Sequence, residues 1–247
     1  MAPEAFFCSS HSSMPMALSF SHVQKKKYGL QGKKLYKSDA YALCAICQTL
    51  GKKLTPAHSF VFIDEAQDIS AGEYELLRAV NPHARFNLFG DVEQNVTPWR
   101  GVKEWEQVFP DFEIYTLNQN YRNTNQIVEF VAGSLQVDMK PIGFDGPNVE
   151  QITPREINRF LKDKKGLVAV ICSERDREKY LRKSYHDVKE KGRVSKTKIN
   201  FMSVYESKGL EFSAVAVIPF GMTANERYIA YTRALKDLAV VTEKEGK

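Results

Sequence analysis

Two acidic residues, Asp64 and Glu65, come directly after the continuous apolar run Phe60–Ile63. A run without polar alternation is typical of a strand that helices cover on both faces. Ligands bind at the carboxyl ends of strands in open parallel sheets, so the acidic pair is expected at a ligand-binding edge. There one carboxylate can hold Mg²⁺ through its water shell, while the other polarises the water that attacks the γ-phosphate of a nucleotide. The string continues through Asp68 as DEAQD, which is more specific for this chemistry than a bare acidic pair.

Gly90, Asp91 and Gln94 form a second polar group, directly after the apolar run Phe86–Phe89. If that run is also a parallel strand, the group lies at the same sheet edge as the acids. A glutamine amide at this place could report whether a γ-phosphate is present. Taken alone, the group would be an ordinary strand-to-loop transition. Its spacing from the DEAQD string is what favours the functional interpretation.

Apolar runs alternate with helical spacing along the chain, which predicts an α/β fold with parallel sheets flanked by helices. The predicted strands are Phe60–Ile63, Phe86–Phe89, Phe112–Thr116, Leu167–Cys172, Ile199–Val204, Ala214–Pro219 and Leu238–Val241. The predicted helices are 38–50, 72–80, 102–109, 124–135, a short one after Pro154, 174–189 and 225–235. A left-handed glycine at position 51 is expected to end the first of them. Two lobes are expected, with a boundary near residue 117.

Composition sets the outer limits of the fold. The chain has 247 residues, 43% apolar and 26% charged, enough for one large or two small domains with a hydrophobic core. No apolar run approaches the roughly 18 to 20 residues of a membrane span. Residues 1–36 lack the pattern of a secretory signal and are expected to be a disordered leader. Cys44 and Cys47 share a predicted helix face, and no second pair completes a zinc site, so we expect core packing in a reducing, cytoplasmic environment.

The formal net charge of +5 suits a nucleic-acid partner but equally suits many metabolic enzymes. The densest basic stretch is the predicted helix 174–189 with the residues that follow it, up to Arg193. Acidic residues, among them Glu174 and Asp187, are interspersed there. We therefore interpret the stretch as an ordinary solvated helix face.

Three more motifs follow the DEAQD and GDVEQ strings in order: Asn120-Tyr121-Arg122, Ser207–Phe212 and Tyr231–Ala234. With these motifs the chain resembles UvrD/Rep-type superfamily-one DNA helicases from about Lys37 to Val241. The resemblance implies a RecA-like P-loop NTPase architecture, with a partial first lobe over 37–117 and a complete second lobe over 118–247. Asn120-Tyr121-Arg122 and Ser207–Phe212 resemble the fourth and fifth motifs of that family. The short interval between these two motifs is similar to the compact second lobes of RecD-like and HelD-like relatives.

The resemblance also implies a role for each matched position. For the chemical step it implies that Asp64 binds Mg²⁺, that Glu65 activates water and that Gln94 couples the γ-phosphate to movement. Arg122 and Arg233 would contact the γ-phosphate. For nucleotide binding it implies that Tyr121 stacks on the adenine, that Glu211 lies near the ribose and that Gly209 also contributes. On single-stranded DNA it implies Trp99 stacked on a base, with Arg100 and Ser203 in the same set. These residue types suit the roles, because a guanidinium fork stabilises the charge of a transferring phosphoryl group and an indole stacks on any base.

The phosphate-binding loop G-x-x-x-x-G-K-[ST] does not occur in the sequence. The candidates at Gly32-Lys33-Lys34 and Gly51-Lys52-Lys53 fail, because each first lysine is followed by lysine instead of serine or threonine. Phosphoryl transfer depends on positioning and charge stabilisation, and half of the positioning groups are missing. We therefore expect this polypeptide alone to hydrolyse little ATP.

Two function classes stay open. The leading hypothesis is an ATP-dependent DNA helicase or translocase, of 3′-to-5′ polarity by family resemblance, with ATP between two lobes and single-stranded DNA across them. The alternative is a non-catalytic module, derived from a helicase, that binds nucleic acid, RNA polymerase or an upstream helicase lobe. An unrelated phosphatase-like hydrolase would need additional metal ligands, and none stands at convincing spacing.

Overall fold

The computed structural model describes residues 7–8, 37–52, 58–95 and 101–242, and the chain divides into two compact units, 1–113 and 114–247. The first unit contains β1 (Phe7–Cys8), α1 (Lys37–Thr49), β2 (Phe60–Ile63), α2 (Ala71–Val80) and β3 (Arg85–Leu88). The second unit contains β4 (Gln119–Asn120), α3 (Asn125–Leu135), β5 (Lys140–Pro141), β6 (Glu150–Ile152), α4 (Ile157–Lys162), β7 (Val168–Cys172), α5 (Arg177–Tyr180), β8 (His186–Asp187), α6 (Val188–Lys191), β9 (Asn200–Ser203), α7 (Val204–Ser207), β10 (Phe212–Ile218), α8 (Ala224–Thr232) and β11 (Ala234–Val241).

The first unit is built on a parallel sheet with the strand order β1-β2-β3. Val61 and Ile63 of β2 are buried in its core. Tyr74 of α2 packs edge-on against Phe109, with ring centroids 4.9 Å apart. Helix α2 starts at a capping box, in which Ser70 accepts from the amide of Glu73 while the Glu73 carboxylate accepts from the amide of Ser70. The predicted strand 60–63 and the helix near 72–80 are therefore confirmed.

Two predicted elements of the first unit are wrong. The predicted helix 102–109 contains only a short 3₁₀ turn, Trp105–Gln107, because its first residue, Val102, donates its amide to the carbonyl of Gln67 and the segment follows that tertiary contact. The predicted strand 112–116 does not form, and residues 111–117 are all exposed. Within the described residues no neighbouring strand pairs with it, and Phe112 instead packs its ring on Phe109, with centroids 4.2 Å apart.

The second unit is built on a six-stranded sheet with the order β6-β11-β10-β7-β9-β8, in which every described pair is parallel. All five residues of β7 are buried, and Val170 pairs with Ala216 of β10 and Phe201 of β9. Helices α4, α7 and α8 are adjacent to this sheet in the chain and in space. The predicted fold class, an α/β protein with parallel sheets flanked by helices, is confirmed.

The predicted charged helix 174–189 is wrong. The chain forms the short helix α5, then the edge strand β8, then the short helix α6. The physical reason is burial, because Arg177 is only 7% exposed and forms ion pairs with Asp187 and Glu206. Tyr185 is also buried, with its ring stacked on Phe201 at 5.8 Å. These contacts require the chain to turn back onto the sheet, which one straight helix could not do.

Smaller differences concern boundaries and missed elements. Strand β11 begins at Ala234, so the predicted helix to residue 235 is three residues too long at its end. The short strands β4, β5 and β6 and the one-turn helix α7 were not predicted, because elements of two to four residues carry too little periodicity. The left-handed glycine that closes α1, Gly51, has φ 69°, as predicted. In the part of the chain described here, no helix combines the length and the apolar character needed to span a bilayer.

Candidate functional site

The acidic pair lies where β2 ends. Asp64 is exposed and accepts a hydrogen bond from the amide of Glu65 through Oδ1 (2.9 Å). Glu65 has φ 51° and ψ 39°, the left-handed conformation that residues with a side chain rarely adopt. Such a backbone costs about 1–3 kcal/mol and persists only where surrounding contacts hold it. Surrounding contacts therefore hold Glu65 in a backbone conformation that a residue with a side chain would otherwise avoid.

Gln67 supplies the contacts that hold Glu65. Its side chain is fully buried, and Nε2 donates to Glu65 Oε2 at 2.6 Å. At the other side of the same amide, Oε1 accepts from the backbone amide of Asp91 at 3.0 Å. The carbonyl of Gln67 accepts from the amide of Val102 at 3.0 Å. One buried residue therefore connects the DEAQD loop to the loop after β3 and to the segment that follows it.

Two glycines leave room for Gln67. A Cβ at Gly90 would stand 2.6 Å from Gln67 Oε1 and 3.0 Å from the ring of Trp105. A Cβ at Gly101 would collide with the carbonyl oxygen of Gln67 and with the side chain of Asn95. Both positions therefore require glycine for close approach.

The loop after β3 is a 3₁₀ turn, Val92–Gln94, capped by Asp91. The Oδ1 atom of Asp91 accepts from the amide of Glu93, and Oδ2 accepts from Nε2 of Gln94, both at 3.0 Å. The structure thus brings Gln94 and the acidic pair into one connected set of loops at the carboxyl ends of β2 and β3. Trp99 and Arg100, predicted to contact DNA, lie outside the described residues.

Below this loop set, the hydroxyl of Tyr74 donates to the carbonyl of Ala66 at 2.6 Å. Burial is the main cause that raises the pKa of Tyr74 above its usual range, and the nearby carboxylates of Glu73 and Asp68 raise it further. The raised pKa favours the protonated hydroxyl, which is the form that donates to Ala66.

In the second unit, the Asn120-Tyr121-Arg122 motif forms a tight turn. The Oδ1 atom of Asn120 accepts from the amides of Arg122 (2.9 Å) and Asn123 (3.0 Å). The turn leaves the ring of Tyr121 72% exposed, as an aromatic surface on which a base could stack.

Asn123, a residue without a predicted role, joins this turn to the Tyr231–Ala234 motif. It is 1% exposed, and its Nδ2 donates to the carbonyls of Thr232 (3.0 Å) and Ala234 (2.7 Å). The neighbouring amide of Thr124 donates to the carbonyl of Leu235 at 3.1 Å. The only sequence signal for Asn123 was its place directly after the Asn-Tyr-Arg string.

The motif arginines differ in environment. Nη1 of Arg122 lies 2.9 Å from Oε1 of Glu211, and these side chains are 56% and 40% exposed. Arg233 is 5% exposed and donates to backbone carbonyls, from Nε to Ile229 (3.1 Å) and from Nη1 to Leu210 (3.4 Å). The structure therefore brings Arg122 together with Glu211, and it places Arg233 inward at the turn between α8 and β11.

Gly209 and Ser203 have backbone roles in the structure. Gly209 has φ 75°, a conformation that favours glycine, in the turn between α7 and β10. Ser203 is 1% exposed and starts α7 with a capping box, in which its amide donates to Glu206 Oε2 at 2.7 Å. Glu206 in turn pairs with Arg177 at 2.8 Å. The contact of Ser203 with DNA stays a prediction.

Metal chemistry at the acidic pair can be judged from its donor set. In the described ranges, no three His, Cys, Asp or Glu side chains gather at one place. Mg²⁺ usually takes only one or two carboxylates and fills its other positions with water and phosphate oxygens. The exposed carboxylate of Asp64 fits that kind of site, whereas a metal cage made only of protein ligands does not fit.

Comparison with known proteins gives a consistent result. Residues 30–242 match the family model described as the viral superfamily 1 RNA helicase core domain. Over 92 residues, 35% of this chain, the sequence is 34% identical to the ATP-dependent DNA helicase Rep of Escherichia coli strain K12. Over 196 residues, 66% of this chain, it is 26% identical to a probable DNA helicase of Mycoplasma pneumoniae. A solved structure of the PRRSV helicase aligns with a TM-score of 0.48 and 15% identity, covering 76% of this chain and 35% of that one.

The chain spans only part of these relatives. The matched segment is 13% of the length of the Rep protein and 36% of the length of the Mycoplasma pneumoniae protein.

Proposed function

Because the chain belongs to the viral superfamily 1 RNA helicase core domain family, we propose that it is part of an ATP-dependent helicase or translocase that acts on single-stranded DNA. DNA is favoured over RNA because the relatives named above are DNA helicases. We assign residues 37–117 to a partial first lobe and 118–247 to the second lobe, and we place the protein in the cytoplasm. A 3′-to-5′ polarity is carried over from the UvrD/Rep resemblance.

The observation that carries the proposal is the Gln67 bridge. Its amide holds the Glu65 carboxylate at 2.6 Å and the Asp91 amide at 3.0 Å, so the water-activating acid and the Gln94 loop are positioned by one residue. A change at the Gln94 loop can therefore reach Glu65 through one buried side chain. This is the connection that a nucleotide-driven motor needs between its hydrolytic acid and its moving loop.

In the first lobe, Asp64 would hold Mg²⁺, which neutralises phosphate charge when bound. Glu65 orients and polarises the attacking water, and its carboxylate keeps one direction because Gln67 donates to Oε2. Gln94 senses the γ-phosphate, and its amide exchanges the bond to Asp91 Oδ2 for one to the phosphate. Trp99 and Arg100 complete this lobe as the DNA contacts that the motifs imply.

In the second lobe, Tyr121 presents the exposed ring on which adenine stacks. Arg122 is the more accessible of the two motif arginines, and its exposed pair with Glu211 is worth only about 0–1 kcal/mol. A nucleotide phosphate can therefore displace Glu211 from Arg122 and leave the carboxylate free for the ribose. Arg233 contributes to the γ-phosphate only after its fork leaves the carbonyls of Ile229 and Leu210.

The 247 residues contain no G-x-x-x-x-G-K-[ST] string, so we propose that this polypeptide alone hydrolyses ATP slowly. A phosphate cradle supplied by another helicase lobe would complete the site. Gly209 then acts through the backbone of the fifth motif, and Ser203 through the start of α7.

Nucleotide binding tests the proposal. We expect a fluorescent ATP analogue with Mg²⁺ to bind the wild-type chain, and Tyr121→Ala to weaken that binding about tenfold, which corresponds to a lost stacking contact. Tyr115→Ala, at another highly exposed tyrosine, is the matched control and should bind as the wild type does. Equal binding by both variants would contradict the role of Tyr121. Turnover stimulated by single-stranded DNA and abolished by Glu65→Gln would refute slow hydrolysis by the isolated chain.

A non-catalytic nucleic-acid-binding module is the second candidate. The inward position of Arg233, which donates to two backbone carbonyls, favours it. In that case single-stranded DNA binding would be the same with and without nucleotide. RNA polymerase and an upstream lobe stay predicted partners of this second form.

A further inference from the structure

The loop before β9 carries an excess of positive charge that the predicted motifs do not use. We call residues 193–198 the basic loop, and its cations are Arg193, Lys196 and Lys198. All three side chains are exposed, and no ion pair is found for them within the described residues. The sequence alone favoured an ordinary solvated surface here, because acidic residues are interspersed upstream. The structure shows which cations those acids pair with.

Three of the interspersed acids are engaged elsewhere. Asp187 pairs with the buried Arg177 and caps α6. Glu174 pairs with Lys189, and that contact is the main cause that lowers the pKa of Glu174. Glu190 pairs with Lys191 at 2.6 Å. These three acids therefore do not neutralise the basic loop.

The backbone of the basic loop is fixed before any ligand arrives. Asn200 is fully buried, and its Nδ2 donates to the carbonyls of Ser195 and Val168, both at 3.0 Å. Its Oδ1 accepts from the amide of Ser195 at 2.7 Å. The hydroxyl of Ser195 accepts from the amides of Thr197 (3.3 Å) and Lys198 (3.2 Å). A fixed loop loses less conformational entropy on binding than a mobile one.

The basic loop lies at the opposite sheet edge from Ser203, the DNA contact predicted in this unit. It directly precedes β9, whereas Ser203 is the last residue of that strand. Glu211 and Arg233, which precede β10 and β11, lie at the same edge as the basic loop. Four residues of parallel strand separate the two edges by about 13 Å. The loop before β7 lies at the same edge, because Asn200 of β9 bonds to the carbonyl of Val168, and it adds the exposed Lys165. Of the neighbouring charges, Asp237 is held by Lys164 at 2.5 Å, and Asp163 is exposed.

We propose that the basic loop is a second nucleic-acid contact, which binds the phosphate backbone independently of base sequence. Exposed cations on a fixed frame suit repeated phosphates, and lysine and arginine without counter-ions gain most from releasing the ions condensed on nucleic acid. The inference rests on the proposed function only in taking nucleic acid as the partner. Its position, about 13 Å from Ser203, allows it to hold a segment that Ser203 does not contact.

Binding measured across salt concentrations tests this proposal. The test variant is Arg193→Ala/Lys196→Ala/Lys198→Ala, and the control is Lys103→Ala/Lys140→Ala/Arg155→Ala, which removes the same charge from exposed positions elsewhere. Fluorescence anisotropy would follow labelled duplex DNA, single-stranded DNA and RNA. At 50 mM salt we expect the test variant to bind at least about tenfold more weakly than the control. We expect the log–log salt slope to fall by about 2.7 on duplex DNA or about 2.1 on a single strand.

Each outcome has a defined meaning. Equal slopes for test and control variants, or a wild-type chain that binds no nucleic acid at low salt, would overturn the proposal. Competition by polyglutamate at the same charge concentration, as strong as by DNA, would also overturn it, because the loop would then be a general polyanion site. Ser195→Ala keeps the charges and loosens the loop, so it should weaken binding without changing the slope. If the triple variant fails to fold, Lys196→Gln/Lys198→Gln should lower the duplex slope by about 1.8.

Failure of this proposal can be distinguished from failure of the proposed function. Nucleotide binding that depends on Tyr121, together with a basic loop that does not affect the salt slope, leaves the proposed function intact. A salt slope that depends on the basic loop, in a chain that binds no nucleotide, leaves the second contact intact.

Discussion

The two motif-bearing regions are held by contacts of different range along the chain. In the first unit, the side chain of Gln67 bonds to residues 2 and 24 positions away, and it holds the carboxylate of Glu65, whose backbone is left-handed. In the second unit, Asn123 bonds to carbonyls 109 and 111 positions away and has no strained neighbour in its turn. The first region is a loop that local contacts hold in an unfavourable backbone conformation. The second region is a long-range closure, by which we mean a set of hydrogen bonds between segments that are far apart in the sequence.

This difference separates stability from activity. Loss of the long-range closure should destabilise a whole sheet edge, because the two segments that it joins are no longer held in register. Loss of the local bridge should leave the sheet intact but release the acidic residue that it positions. The following substitutions test this distinction.

Asn123→Ala should have the largest effect on stability. It leaves the buried carbonyls of Thr232 and Ala234 without their donor, and each such group costs about 1–3 kcal/mol, so we expect a loss of about 3 kcal/mol. Urea denaturation, with hydrogen exchange of peptides from 228–241, would measure it. Asn118→Ala, which removes an exposed bond to Asp138, is the control. Similar losses in both variants would contradict the long-range closure.

Gln67→Ala should destabilise the first unit by about 2 kcal/mol, because a buried amide with two bonds is lost while the left-handed strain at Glu65 is relieved. The main effect should be on function, since Glu65 loses its orientation. Binding of a fluorescent ATP analogue and the turnover of a complemented helicase would measure it. Gln48→Ala removes one exposed bond to a carbonyl and should leave both unchanged.

Gly90→Ala should cost about 1–2 kcal/mol, because the new Cβ stands 2.6 Å from Gln67 Oε1 and off-optimum packing carries a cost of this size. Gly72→Ala is a control with the opposite sign. Gly72 lies in α2 with free space around it, so the substitution should stabilise the helix by about 0.5–1 kcal/mol. If the urea midpoints of both variants shifted in the same direction, the close approach at Gly90 would be contradicted.

Arg122→Ala should have the smallest effect on stability, below about 1 kcal/mol, because its pair with Glu211 is largely exposed. A double-mutant cycle with Glu211→Ala would measure the coupling, and 0.5 M salt should reduce it further. A coupling that resists salt would show that this pair is part of the fold and is not a contact that phosphate can displace.

Much of the fold was predictable, because long apolar runs and capped helices carry strong signals. Strand 60–63 and the helices near 72–80 and 124–135 were predicted within one or two residues, and the family match confirms the superfamily-one helicase resemblance. The predicted helices at 102–109 and 174–189 failed for one reason. Their periodic residues serve tertiary contacts, such as the burial of Arg177 against Asp187, which override local propensity.

The candidate site was predictable in its motifs but not in its connections. The acids and Gln94 stand out because polar groups follow apolar strands. Gln67 and Asn123 were missed as functional residues, because a buried amide gives no signal in sequence until its partners are known. The assigned roles of Arg122, Arg233 and Ser203 stay predictions, and their different burial now gives each one its own test.

The strand order of the second unit has a consequence for how the protein is made. Strand β11 lies between β6 and β10, although about 80 residues of chain separate it from β6. A ribosome therefore has to translate through residue 241 before β6 can join this sheet through β11, and until then the buried, apolar strand β10 lacks one of its neighbours. A premature stop codon before Ala234 would remove an interior strand instead of a tail, and the shortened product would be a substrate for chaperones and proteases.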